Sequence, residues 1–375
     1  MHPQAAAIFT LTAAVAFGGA QAARSPREHL DPDRWRRVLQ RADVDPALFA
    51  YPLQTSPEMT RAAAKFAGAG STIERLRSLQ AALFSSSTFP YDYASTETHT
   101  AIETFERRRG NCVSFTLMYL AMARSLGIPV WAGLVTDDPT TVREEELVVV
   151  NQHMVAVYPR SGDAMVLDFD RTAFQRFQRF ALLDDVRIGA LFSNNLGAER
   201  LREGDFAGAI PYLEAATRLD PDYVEAHANL GVALRHAGRV DDALATYRRA
   251  LEIDPSRPGT LLNLATLYRE QGREDEALSA IAAARRRGAT AYALIAQGDL
   301  EYVRGHVDEA LRRYRHAHRL APDLADPLVA RGRVLMSEGR TAEARRAVAA
   351  ALAREPEHAG ALDLERRISE SAGGT

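Results

Sequence analysis

One cysteine, Cys112, occurs in 375 residues, which excludes an internal disulfide. The half of the chain that holds this thiol lacks any CxxC, HxH or HxxxH spacing, so a metal centre is disfavoured and no cofactor is expected. Charge of one sign is also lacking: the formal net charge is -3. The arginine triplets Arg107–Arg109 and Arg285–Arg287 are too short and isolated to track a phosphate backbone. They read as solvated helix ends, and nucleic acid is not expected as a partner. After the first 23 residues no run is long and apolar enough to cross a bilayer. What stands at the start is "MHPQAAAIFTLTAAVAFGGAQAARS", with an apolar stretch from Ala5 to Ala20 and the small-x-small sequence Ala20-Gln21-Ala22. This reads as a secretory signal over residues 1–23, cut near Ala22 or Ala23, and it predicts a periplasmic or secreted protein without a stable membrane span. An unpaired thiol in such an oxidising compartment is a liability unless it is buried or reactive.

Internal repetition dominates the second half. Gly204, Gly238, Gly272, Gly305 and Gly339 lie 34, 34, 33 and 34 positions apart. Each is followed five residues later by alanine (Ala209, Ala243, Ala277, Ala310, Ala344) and seven after that by another (Ala216, Ala250, Ala284, Ala317, Ala351). Pro221, Pro255, Pro322 and Pro356 close four of the five units, whereas Ala289 stands where the third unit should have proline. The unit is a helix-turn-helix in which glycine makes the turn, the alanines allow close approach and proline stops the second helix. This pattern resembles the tetratricopeptide repeat over residues 190–358, and "HAGALDLERRISES" after it suits a helix capping the solenoid within 359–375. The resemblance implies a concave face that takes a protein or peptide partner. Residues 24–189 read as mixed α/β, with 24–70 forming one or two helices packed on the remainder of that region. Ser71 with Glu74 and Thr100 with Glu103 have capping-box spacing and open two helices.

From Phe115, the apolar residues Phe115, Met118, Tyr119, Met122 and Leu126 fall on one helix face, and Gly127 followed by Pro129 ends the helix. Asn111 is a good N-cap, so Cys112 sits in the first turn, where the helix dipole favours a thiolate and backbone N–H groups can receive an oxyanion. By itself the residue fits a small apolar core position equally well. The segment "EELVVVNQHMVAVYPRSGDAMVLDFD" predicts a hairpin with Pro159–Gly162 as a four-residue connection. Pairing Tyr158 with Asp163 brings His153 opposite Asp168, and any register of that parity keeps both on one face. Cysteine, histidine and aspartate so arranged suit acyl transfer, with His153 taking the thiol proton and Asp168 orienting the imidazole. Asp170 shares that face as an alternative orienter, and His99 reads as a surface residue. The Cys112 N–H is one oxyanion donor; Tyr91, Tyr93 and Asn111 are candidates for the second.

"FERRRGNCVSFTLMYLAMARSLGIPV", "HMVAVY" and "VLDFD" resemble, in chain order and spacing, the Cys, His and Asp segments of the transglutaminase-like superfamily, most of all bacterial members fused to tetratricopeptide repeats. The resemblance covers residues 71–180 of a domain placed at 71–189. It implies an α+β, papain-like core with Cys112, His153 and Asp168 at the catalytic positions of a cysteine acyltransferase or peptidase. Val113 after the cysteine, and Phe169-Asp170 in place of Pro-Thr, leave the acyl acceptor open. The alternative implied by relatives without the cysteine is a non-catalytic periplasmic scaffold with a degenerate binding module.

Overall fold

A computed structural model describes residues 29–46, 49–135, 140–144, 147–151, 153–160, 163–168, 180–288 and 290–373. The segment read as a secretory signal, Asp170 and Ala289 lie outside these residues. The described chain divides into two compact units, the first ending at Ala226 and leaving out residues 141–150, the second holding those residues and His227 onward. None of the described helices is long and apolar enough to cross a membrane.

In the first unit α1 (Pro32–Arg41), α2 (Pro57–Ala67) and α3 (Thr72–Phe84) precede a short strand β1 (Asp92–Tyr93) and α4 (Ala101–Arg107). Both expected capping boxes are present, Ser71 with Glu74 on α3 and Thr100 with Glu103 on α4. β2 (Arg109–Gly110) pairs with β1 and delivers the chain to α5 (Cys112–Ser125). Then come β3 (Trp131–Val135), β4 (Thr140–Glu144) and β5 (Leu147–Asn151), which pair in a separate ladder lying almost wholly outside that unit, and β6 (Met154–Arg160), β7 (Asp163–Leu167) and β8 (Phe180–Leu183). Strands β7, β6, β3 and β8, in that order, form one antiparallel sheet.

Helix α5 is the centre of this unit. The pattern predicts one buried face, but Val113 through Ala123 are all buried. A helix apolar on nearly every side has to be enclosed: α2, α3 and α4 lie against it on one side and β3 and β6 on another. Its C-terminus is a Schellman motif, with Ile128 N–H donating to Ala123 O at 3.2 Å, Gly127 N–H to Arg124 O at 2.9 Å, and Gly127 at φ 74°. Beyond it, the buried Asp185 accepts from Arg124 Nη1 at 2.8 Å, from the Tyr51 hydroxyl at 2.8 Å and from Leu30 N–H at 2.8 Å. One carboxylate thus ties the N-terminal segment to the end of α5.

The repeats are helix pairs: α6 (Asp185–Arg202) with α7 (Phe206–Leu219), α8 (Val224–His236) with α9 (Val240–Ile253), α10 (Pro258–Glu270) with α11 (Glu274–Arg286), α12 (Thr290–Val303) with α13 (Val307–Leu320), and α14 (Asp326–Ser337) with α15 (Thr341–Leu352). The five turn glycines have φ between 69° and 81°, and the ten repeat alanines have no exposed surface. Helix α16 (Ala359–Gly373) follows, with Ala361, Leu364 and Ile368 buried. The first pair belongs to the first unit: Ile188, Leu191, Phe192, Ala216 and Leu219 share one core with Trp35, Met118 and Leu120.

Candidate functional site

Asn111 caps α5 as its side-chain oxygen accepts from Ser114 N–H at 3.0 Å. Cys112 is therefore the first helical residue, half-buried and in no disulfide, among N–H groups that have no partner within the helix. The preceding glycine is obligatory. Gly110 has φ 149°, and a Cβ there would come within 2.6 Å of the Ser114 side chain and 3.1 Å of the Tyr91 hydroxyl.

The strand pattern differs from the expected hairpin in two ways. The apolar run is divided into β5, ending at Asn151, and β6, starting at Met154, so that β5 pairs with β4 while β6 pairs with β3 and β7. In the β6–β7 register Arg160 faces Asp163 and Val157 faces Val166, a shift of two from the expected pairing. Pro159 and Arg160, expected in the connection, belong to β6, and Ser161 and Gly162 lie outside the described residues. A shift of two preserves facing, so His153 and Asp168, each one residue beyond its strand, remain neighbours. His153 Nε2 lies 2.7 Å from Asp168 Oδ1, and the two side chains keep 17% and 2% of their exposure. Cys112 acts on His153 as well, through hydrogen bonding and charge that favour the protonated ring. With Nε2 engaged by Asp168, Nδ1 is the ring nitrogen left for sulfur. Burial disfavours the charged ring, but the hydrogen bonds and charges of Asp168 and Cys112 outweigh it and push His153 up to about 10. The arrangement can hold a thiolate beside an imidazolium whose orientation a carboxylate fixes.

The three candidate oxyanion donors separate clearly. Tyr93 is 62% exposed. Asn111 is occupied, with Oδ1 on Ser114 N–H and Nδ2 donating to Thr98 Oγ1 at 2.8 Å. The Tyr91 hydroxyl is buried without a hydrogen-bond partner among the described residues. Burial first, then the negative charge of a Cys112 thiolate, keep its proton bound far above the ordinary phenol range. Its ring stands edge-on to Phe115, with centroids 4.7 Å apart.

Two expectations are corrected. His99 is not a surface residue: its side chain is 13% exposed beside Glu97, and its N–H donates to Ser114 Oγ at 2.8 Å. Arg108 is not a solvated helix end. It takes the left-handed C-cap conformation at φ 57°, and its guanidinium lies 3.7 Å from the Phe89 ring centroid and 4.6 Å from that of Phe105. Arg285–Arg287 are exposed at the end of α11, as expected. Sequence reasoning does not single out Thr116, whose hydroxyl donates to Met154 O at 3.1 Å and joins α5 to β6 beside His153. A threonine one turn after the cysteine in an otherwise apolar helix is the available signal. Among the described residues no group of three or more His, Cys, Asp or Glu side chains gathers to hold a metal ion.

Comparison with known families assigns the two halves. Residues 60–158 match the transglutaminase-like superfamily, and residues 194–258 and 329–362, together with 234–300 in a second description, match the tetratricopeptide repeat. The chain therefore joins a transglutaminase-like domain to a repeat array of the kind that mediates protein–protein interaction. None of the curated proteins matches it. Similar solved structures include a thermophilic tetratricopeptide protein of Thermus thermophilus, 24% identical, spanning 49% of this chain and 98% of that one with a TM-score of 0.43. The pilF protein of Pseudomonas aeruginosa is 22% identical over 50% and 86% of the chains with a TM-score of 0.37. A repeat protein of Parabacteroides merdae is 18% identical over 49% and 73%, with a TM-score of 0.40.

Proposed function

We propose that this chain, a transglutaminase-like domain followed by tetratricopeptide repeats, is an exported thiol enzyme that transfers or hydrolyses acyl groups of amide or peptide substrates. Cys112 is the nucleophile, His153 the proton carrier and Asp168 its orienter. The single observation that carries this reading is the 2.7 Å contact of His153 Nε2 with the buried Asp168, an arrangement in which Asp168 and Cys112 push His153 up to about 10. Cys112 Sγ attacks the carbonyl carbon, and the developing oxyanion accepts hydrogen bonds from the Cys112 N–H and the Tyr91 hydroxyl. The His153 imidazolium protonates the leaving amine. The thioester is then resolved by an amine or by water, which His153 deprotonates.

The repeats recruit the substrate or a partner protein. In the second unit a groove of about 480 Å³, lined among others by Arg269, Asp299, Tyr302, Arg333 and His358, supports a peptide as the occupant. Export rests on the apolar Ala5–Ala20 stretch and its Ala20-Gln21-Ala22 site.

The test is the rate of Cys112 alkylation by iodoacetamide from pH 4 to 10 in the wild type and in His153→Ala. Rapid reaction at acid pH that the variant loses supports the pair, and Cys112→Ala should then abolish turnover without unfolding. Slow, superimposable curves would leave a non-catalytic scaffold whose partners bind the repeats.

A further inference from the structure

Tyr91 is placed by its ring rather than by its backbone. The parallel β1–β2 ladder begins one residue later, with Asp92 N–H donating to Arg108 O at 2.8 Å and Ala94 N–H to Gly110 O at 3.0 Å. Pro90 has no N–H, and neither it nor Tyr91 makes a backbone–backbone hydrogen bond among the described residues. What the ring meets is aromatic. Phe89 stacks beside it, with centroids 6.4 Å apart and planes 18° apart, and Phe115 of α5 meets it edge-on at 4.7 Å. The hydroxyl so delivered comes within 3.1 Å of the point where a Cβ on Gly110 would stand, two residues before Cys112.

Phe89 is held in turn by Arg108. Its buried ring stands edge-on to Phe66 at 6.5 Å, and the Arg108 guanidinium lies 3.7 Å from its centroid and 4.6 Å from that of Phe105. Arg108 Nη1 is buried without a hydrogen-bond partner among the described residues, so the negative faces of the two rings hold the cation there. A helix that needed only to stop would carry glycine or asparagine at the left-handed residue after α4, where φ is 57°. Arginine in that place supplies a planar cation that can lie flat on a ring, as the compact ammonium of lysine cannot. The same residue meets the loop on either side of Tyr91: its side chain covers Phe89 and its carbonyl accepts from Asp92 N–H.

We propose that Arg108 is a positioning residue for the Tyr91 hydroxyl: gripping Phe89 with its guanidinium and Asp92 with its carbonyl, it holds the residues between them so that the hydroxyl faces an oxyanion formed at Cys112. This rests on Cys112 being a nucleophile and Tyr91 an oxyanion donor. The test uses the full chain as wild type, His153→Ala, Tyr91→Phe, Arg108→Met, Arg108→Gly and the double variant Arg108→Met with Tyr91→Phe. Two rates are compared at Cys112. Iodoacetamide alkylates the sulfur at a saturated carbon and expels iodide, so no oxyanion develops. p-Nitrophenyl acetate acylates it: the S–C bond forms, an oxyanion develops, and p-nitrophenolate leaves. The ratio of acylation to alkylation should fall about 100-fold in Tyr91→Phe, the scale of losing one oxyanion donor. It should fall about tenfold in both Arg108 variants, the scale of losing one cation–ring contact. Glycine relieves the left-handed turn, so an equal fall in both variants assigns the effect to the side chain. The double variant should fall no further than Tyr91→Phe, since the two residues act as one. An unchanged ratio in either Arg108 variant overturns the role, because a merely structural residue slows both reactions alike. A full additional loss in the double variant also overturns it. A Tyr91→Phe ratio equal to wild type ends the donor role and this one with it. Wild-type alkylation superimposable on that of His153→Ala ends the nucleophile reading instead, so the failures are read apart.

Discussion

A histidine that keeps its proton to about pH 10 is a fixed cation through the neutral range, and the consequence for stability has a definite sign. The folded form binds the proton more tightly than an unfolded histidine, whose pKa is about 6.5, so the interaction stabilises fully below that value and is lost as pH rises through about 10. The gap in melting temperature between wild type and His153→Gln should therefore be widest below pH 6.5 and close toward pH 10; a gap that widens with pH would show that the ring is buried neutral. Gly110→Ala acts on the same site through backbone. It forces a Cβ to 2.6 Å from Ser114 at φ 149° and should cost about 1–3 kcal/mol, read as a lowered denaturation midpoint. Residue type alone picks out Cys112, His153 and Asp168, because few side chains do this chemistry. His99 and Arg108 escape such a reading because Ser114 and the rings of Phe89 and Phe105 bury them, and no local pattern reports that.

Elements are legible where their signals are local. Both capping boxes and the Gly127 terminus of α5 follow from residues within a few positions of each other. The β6–β7 register does not, since Pro159 has the chemistry of a turn residue whereas the pairing continues through Arg160. Only the parity of the pairing is secure, and parity suffices to keep His153 beside Asp168. What joins α5 to β6 is also invisible in sequence: Thr116 and Met154 are 38 positions apart and meet through one hydrogen bond of 3.1 Å. Thr116→Val keeps the shape, removes the donor and strands the buried Met154 carbonyl, at a cost of about 1–3 kcal/mol. Urea denaturation should register that loss together with slower acid-range alkylation of Cys112, because the bond sets the distance between the helix and the strand that begins after His153. Unchanged alkylation would mean that packing alone holds α5 in place.

At the scale of the molecule, the repeat phase is visible in sequence from its glycines and alanines, but where the compact unit ends is not. Repeat signatures describe how one helix pair resembles the next and say nothing of which core it enters. Here α6 begins at Asp185, whose carboxylate holds Arg124, Tyr51 and Leu30, and a Cβ on Gly189 would lie 2.1 Å from the Trp35 ring. Leu191 and Phe192 complete the same buried cluster, and Leu219, Tyr223 and Ala226 extend it. A chain ended after Gly189 loses several large apolar side chains from that core, each contributing about 1.5–3 kcal/mol when buried, a sum comparable to the whole stability of a domain. It should show no cooperative melting transition. A chain ended after Gly238 keeps all of the core that includes α5, since that cluster has no member past Ala226 among the described residues. It should melt cooperatively and retain the His153-dependent alkylation of Cys112 while losing the Arg269–His358 groove and any peptide that binds there. If instead the shorter chain folds with full thiol reactivity, the helix pair beyond Gly189 is an appendage that the site does not need.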